Sequence, residues 1–189
     1  KKMSFLRGFN RSTFIEDSQV ASMHLPKNFC QTRTGNDIAV LELSPAVTSS
    51  SDVGFISMPA MELKKKRVIV IGYPGDRADQ LEGPVMWEDD GEVVNVSEGE
   101  FVHKANTDQG NSGGPVFLDE SIAISGEPET IIKGPIVGVH VRGTTFIKSA
   151  GNYATLINPH YDSVRNILNG TYPDSWDTFP CFQPEGGKG

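Results

Sequence analysis

A serine lies among three glycines in Thr107-Asp108-Gln109-Gly110-Asn111-Ser112-Gly113-Gly114-Pro115 and leads directly into the apolar Val116-Phe117. Glycine lacks Cβ, so it lets a ligand come close to the backbone and tolerates unusual φ/ψ. Free N–H groups at such a turn can converge on one point. A tetrahedral oxyanion beside a serine nucleophile needs that convergence. The plainer alternative is a glycine-rich turn with a solvent-facing hydroxyl. A second chemistry-bearing stretch is Asn36-Asp37-Ile38-Ala39-Val40-Leu41-Glu42-Leu43, an acid at the head of an apolar run. Asn-Asp pairs favour turns. A buried carboxylate there would instead accept an imidazole N–H and fix its tautomer.

The two stretches together resemble the chymotrypsin superfamily of serine peptidases. In that superfamily Gly-x-Ser-Gly-Gly-Pro precedes a strand, and Asp-Ile-Ala-hydrophobic-Leu-x-Leu marks the triad acid. The resemblance implies that Ser112 is the nucleophile, that Asp37 is the triad carboxylate, and that the amides of Gly110 and Ser112 form the oxyanion hole. Asp37 and Ser112 are 75 residues apart, a usual spacing for the superfamily. The implied fold is all-β: a double antiparallel β-barrel closed by a C-terminal helix.

A finer series follows in order: Gly72-Tyr73-Pro74-Gly75-Asp76, Met86-Trp87-Glu88 with a glycine after it, Thr107, and Gly138-Val139-His140. It is similar to the glutamyl endopeptidase branch, and the likeness extends from residue 35 to about residue 168. That branch cuts after Glu, and less well after Asp. A substrate carboxylate buried without donors would be costly, so its pocket must supply hydrogen bonds. The resemblance assigns that task to His140 and Thr107, with Val139 and Arg142 on the same strand. Asn106 stands where trypsin-like enzymes carry an Asp, which argues against cleavage after Lys or Arg. Val141 and Arg142 replace the Gly and Trp of the bacterial relatives. Arg142 either adds positive charge near the pocket or faces solvent. Taken alone, His140 reads as a half-buried strand residue.

The general base is missing from this pattern. In the superfamily it lies ~40 or more residues before the Asp, and only 36 residues precede Asp37. His24 is 13 residues before Asp37, His103 enters the nucleophile loop and His160 opens the helix. None of them is assigned as the base. Either the histidine lies upstream, in the N-terminal remainder of the same protease, or the chain is a non-catalytic homologue with an inherited pocket.

The elements that must position these residues are short and numerous. Strands are expected at Val20–Leu25, at Ile38–Leu43 just after the acid, at Val68–Ile71, at Phe101–His103, and at Pro115–Leu118. Further strands are expected at Ile131-Ile132, Ile136–Val141 and Tyr153–Ile157. Asp89-Asp90-Gly91 between Val85–Glu88 and Glu92–Val96 predicts a hairpin turn. Asn158 as N-cap and Pro159 at the first position start a helix that Gly170 ends. The division expected is 1–50 for the end of a first barrel bearing the acid, 51–64 for a connection, 65–170 for a second barrel and helix, and 171–189 for an extended Pro/Gly-rich tail.

Composition bounds the rest. The 189 residues carry a net charge of −7, which disfavours nucleic acid and anionic membranes as partners. Protein or peptide substrates fit better. No cofactor is implied, and no Cys/His spacing suits a metal. Three sequons, at Asn10, Asn95 and Asn169, join the peptidase motif in pointing to a secreted glycoprotein. The two cysteines fit one disulfide or two thiols. In a secreted chain with a loosely held tail, a Cys30–Cys181 bridge is expected. The first residues, Lys1-Lys2-Met3, read as the interior of a longer chain.

Overall fold

Six antiparallel strands close into a barrel in the order β4-β5-β6-β9-β8-β7. They are β4 (Arg67–Gly72), β5 (Trp87–Val96), β6 (Glu100–His103), β7 (Pro115–Asp119), β8 (Lys133–Arg142) and β9 (Asn152–Leu156). The computed structural model describes residues 3–47, 54–75, 83–120, 133–143 and 151–180. The barrel interior is apolar: Val68, Val70, Val93, Phe101, Val116, Leu118, Val137 and Leu156 pack around Leu63. Leu63 comes from the short helix α1 (Ala60–Leu63), which sequence reasoning did not anticipate. Each such side chain, fully buried, stabilises by about 1.5–3 kcal/mol.

The expected hairpin at Asp89-Asp90-Gly91 is overturned. β5 runs unbroken through it, pairing Val68 with Gly91, Ile69 with Asp90 and Val70 with Asp89. Gly91 serves a close crossing instead of a turn. A Cβ there would lie 2.0 Å from the Ala105 nitrogen and 2.4 Å from the Lys104 carbonyl carbon. The acids are also engaged from outside the strand. Asp90 binds Arg67, and Asp89 accepts the Asn106 amide.

A second sheet has β2 (Glu16–Pro26) at its centre. β1 (Ser4–Arg7) and β10 (Trp176–Pro180) lie along one edge of β2, and β3 (Val40–Ser44) along the other. β2 alternates buried even positions with half-exposed odd ones from Ser18 to Pro26, as one covered face demands. β3 starts two residues later than expected, so Asp37 lies in coil. The region expected as an extended tail adds a strand as far as Pro180. Cys30 is exposed. Cys181 and the expected strand Ile131-Ile132 lie outside the described residues. Trp176 pairs with Pro26 and Pro180 with Ser22.

After β9 the chain makes a 3-10 turn, Asn158–His160, and then α2 (Tyr161–Leu168). Asn158 is not the side-chain cap expected. Its Oδ1 accepts the Ser57 hydroxyl, and the turn opens without a side-chain cap. Gly170, at φ 76°, does end the helix, in the left-handed region that glycine tolerates. Ile38, Ile157, Ile167 and Trp176 form a second buried cluster, joined by Val40, Phe55, Ile136 and Val139. This cluster ties the second sheet, the barrel and α2 together.

A polar clamp attaches residues 172–178 to β2 and β3. The Tyr172 hydroxyl donates to Glu42 at 2.6 Å, and its ring stacks on His24 at 5.0 Å. His24 Nδ1 is 2.9 Å from Thr178 Oγ1, and Ser22 also donates to Glu42. The Ser22 and Tyr172 hydroxyls hold the Glu42 carboxyl below its ordinary value. A lowered carboxyl pKa stabilises the folded form above the unfolded value near 4.5. That contribution is lost as pH falls through the folded value. The protection of β10 amides against exchange, relative to the intrinsic rate at each pH, is therefore expected to fall in acid. Glu42→Gln should give comparably low protection at neutral pH and flatten the pH dependence.

Candidate active site

The Ser112 loop lies between β6 and β7, and its backbone is specialised. Gly110 has φ 105° and Gly113 φ 89°, conformations that L side chains rarely adopt. A Cβ on Gly110 would also meet the Tyr73 carbonyl oxygen at 2.6 Å. The amides of Asn111, Gly113 and Gly114 are spent on the carbonyls of Asp108, His140 and Asn111. Those of Gly110 and Ser112 have no backbone acceptor among the described residues. The Ser112 side chain is exposed, and its hydroxyl donates to the Val141 carbonyl at 3.1 Å.

Ser112 borders a cavity of about 710 Å³ that is also lined by Asn106, Thr107, His140, Arg142 and Gly151. Thr107 and His140, far apart in sequence, thus face the same space. Val139 does not. Alternate strand residues point to opposite faces, and Val139 packs into the second cluster. His140 and Arg142, two residues apart on β8, both border the cavity, with a register shift between them.

His140 is 2% exposed. Burial pushes its pKa down to about 4, while a backbone hydrogen bond to Tyr153 pulls the other way. Its Nδ1 has no hydrogen-bond partner among the described residues. Since Nδ1 is unpartnered, the bond to Tyr153 uses Nε2. At neutral pH the ring is uncharged, with its proton on Nε2 and a lone pair on Nδ1.

Two features were not legible beforehand. Arg142 neither faces solvent freely nor acts as a lone cation. It forms two parallel 2.8 Å bonds with Glu100 and lies 4.3 Å over the Tyr153 ring. Glu100 above all, and also the charge of Asp37, raise the guanidinium pKa further. The second feature is His103, fully buried, 5.5 Å from His140 in an edge contact. Neither His103 ring nitrogen has a hydrogen-bond partner among the described residues. Burial, and secondarily His140, push its pKa down to about 3. A buried unpaired polar group costs roughly 1–3 kcal/mol, so His103→Phe is expected to stabilise by about that much. The same change should weaken acid denaturation below about pH 6.5, where an unfolded histidine gains a proton that the folded one refuses. Thermal melts across pH check both effects.

The remaining imidazoles are occupied elsewhere. His24 belongs to the clamp on β2, and His160 Nε2 lies 2.6 Å from the Gly35 carbonyl oxygen. Asp37 is half-buried in the coil before β3. Asn10, Asn95 and Asn169 are all exposed. Among the described residues no group of three His, Cys, Asp or Glu could hold a metal ion, and no helix is long and apolar enough to cross a membrane.

A closed six-stranded barrel beside a second sheet, with a serine on a left-handed glycine loop at a cavity mouth, defines a chymotrypsin-like domain. The trypsin family model matches residues 10–157, and the chain belongs to that family. Similar proteins include the glutamyl endopeptidase of Staphylococcus epidermidis, 29% identical over 145 residues, which cover 74% of this chain and 43% of that protein. Glutamyl endopeptidase of Staphylococcus aureus strain MW2 is 27% identical over 146 residues, 73% of this chain and 37% of that one. The chain thus spans about two fifths of these relatives. A structure of Glu endopeptidase in complex with MPD aligns with a TM-score of 0.70 at 19% identity, covering 90% of this chain and 73% of the other. The scabies mite inactivated protease paralogue S-D1 aligns with a TM-score of 0.67 at 15% identity, covering 90% and 77%.

Proposed function

We propose that this chain is the Asp- and Ser-bearing part of a serine endopeptidase that prefers Glu, then Asp, before the scissile bond. The observation that carries the reading is one cavity bordered by Ser112, Thr107 and a buried His140 with a free Nδ1. Ser112 Oγ gives its proton to the general base and attacks the carbonyl carbon; the tetrahedral intermediate breaks the C–N bond, the leaving amine takes that proton, and water then hydrolyses the acyl-enzyme. The Gly110 and Ser112 amides hold the oxyanion, and Asp37 orients the general base. We assign that base to a histidine on the upstream part of the same protease, since His24 and His160 are hydrogen-bonded elsewhere, His103 is fully buried in the barrel and His140 is given to the pocket. A non-catalytic homologue acting as a binding module is the second reading, favoured by the likeness to an inactivated paralogue.

The pocket chemistry gives the preference a sign. Neutral His140 offers a lone pair at Nδ1, so it must take up a proton there to donate to a carboxylate. A bound glutamate favours that cation and raises the pKa from about 4. The preference for Glu over Gln is therefore expected to grow as pH falls toward the range where glutamate itself protonates. His140→Ala should lower kcat/KM for Glu peptides by about 10- to 100-fold, the cost of a hydrogen bond to a charged group. Gln peptides should suffer much less. A peptide library on the full-length protease and on His140→Ala tests this. Equal Glu/Gln ratios in both would leave a serine protease of other preference.

A further inference from the structure

We propose that His160 and Trp176 are positioning residues for the Asp37 carboxylate, so that the C-terminal strand takes part in setting the active site. This rests on Asp37 being the triad acid. The matched family region ends at residue 157, before either residue.

Asp37 needs outside support because no strand holds it. β3 begins at Val40, so no ladder hydrogen bond fixes the turn from Gly35 to Asp37. On its leading side, Gly35 is pressed against the barrel. Its φ is 71°, and a Cβ there would lie 2.7 Å from Gly99 Cα. The Gly35 carbonyl accepts the buried His160 Nε2 at 2.6 Å. On its trailing side, Ile38 is 7% exposed and packs with Ile157, Ile167 and Trp176. The Trp176 ring meets the His160 ring nearly perpendicular, at 79° and 5.9 Å between centroids. One aromatic pair thus grips the residues on both sides of the acid, by a hydrogen bond before it and by packing after it. β10 carries Trp176, and its pairing with β2 and the 3.0 Å bond from the Lys27 amide to the Ser175 carbonyl hold it there.

The test has two arms. In this chain, amide exchange is read at Ile38, whose N–H donates to Asn36 at 2.9 Å. Trp176→Ala and His160→Ala should speed exchange there and leave Val70, in the barrel, unchanged. In the full-length protease, both variants should lower kcat by about 10- to 100-fold with KM nearly constant, since a misplacement of about 1 Å can cost 10²-fold. Gln can present a side-chain N–H where His160 Nε2 lies, so His160→Gln should recover most of the loss. In an Asp37→Asn background, Trp176→Ala should cost nothing further, because residues acting through one group are not additive. The same loss in that background, no advantage of His160→Gln over His160→Ala, or unchanged exchange at Ile38 would each overturn the proposal. Should Trp176→Ala not fold, Trp176→Phe and the two His160 variants decide it. Failure of the functional reading looks different: Asp37→Asn itself would leave kcat unaltered while the exchange effects persist.

Discussion

Ser112→Ala in the full-length protease is expected to lower kcat by roughly 10⁴- to 10⁶-fold, with KM changed little. The side chain is exposed at the cavity mouth and makes a single hydrogen bond, to the Val141 carbonyl. Its loss removes the nucleophile without opening a core cavity, so the melting temperature should stay near that of the parent. Backbone donors and substrate contacts would survive the change, which leaves the weak residual catalysis such sites show. A serine-directed phosphonate should label the Ser112 peptide and stop activity in proportion. Full activity with Ser112 unlabelled would return the loop to a solvent-facing glycine turn.

Asp37→Asn is expected to lower kcat by about 10⁴-fold. An amide at that position can present N–H to the imidazole where a carboxylate presents only acceptors, and the base is then held in the wrong tautomer. The change is nearly isosteric, and Asp37 lies in half-buried coil, so the fold should be kept. Arg142 feels the Asp37 charge, but its two bonds go to Glu100, so the cavity wall should stand. The measurement is kcat at a pH above the apparent pKa of the base, with thermal melts as control. A loss below about tenfold would show that Asp37 caps its turn and nothing more.

The barrel strands were legible because their chemistry is local. Val68–Ile71 and Phe101–His103 are short apolar runs, and a run buried on both faces needs no partner to be recognised. The glycine-rich loop was legible for the same reason: glycines around Ser112 restrict where a side chain can be placed, whatever the rest of the chain does. The Asp89-Asp90-Gly91 turn failed because its signal has two sources. Asp-Gly suits a tight turn, yet Gly91 is there because a Cβ would lie 2.0 Å from the nitrogen of Ala105, which sits in the bend after β6. Local propensity cannot tell a glycine needed for φ from one needed for space. Within the expected extended tail, Trp176–Pro180 pairs with β2 as an added strand, a partner that its composition does not name.

Residue types pointed to the class of chemistry: a serine among glycines, an acid ahead of an apolar run, and short apolar strands to carry the loop. These are properties of residue type and near-neighbour spacing. Which groups share a site was set by the folded structure. It put His140 and Thr107 on one cavity while turning Val139 to the opposite face. It also spent Arg142 on Glu100 and brought Trp176 and His160 to the turn that holds Asp37. The reason is one of range. Spacing along a chain encodes which face a residue takes, but a contact across 140 residues depends on register and on burial of surface from both partners.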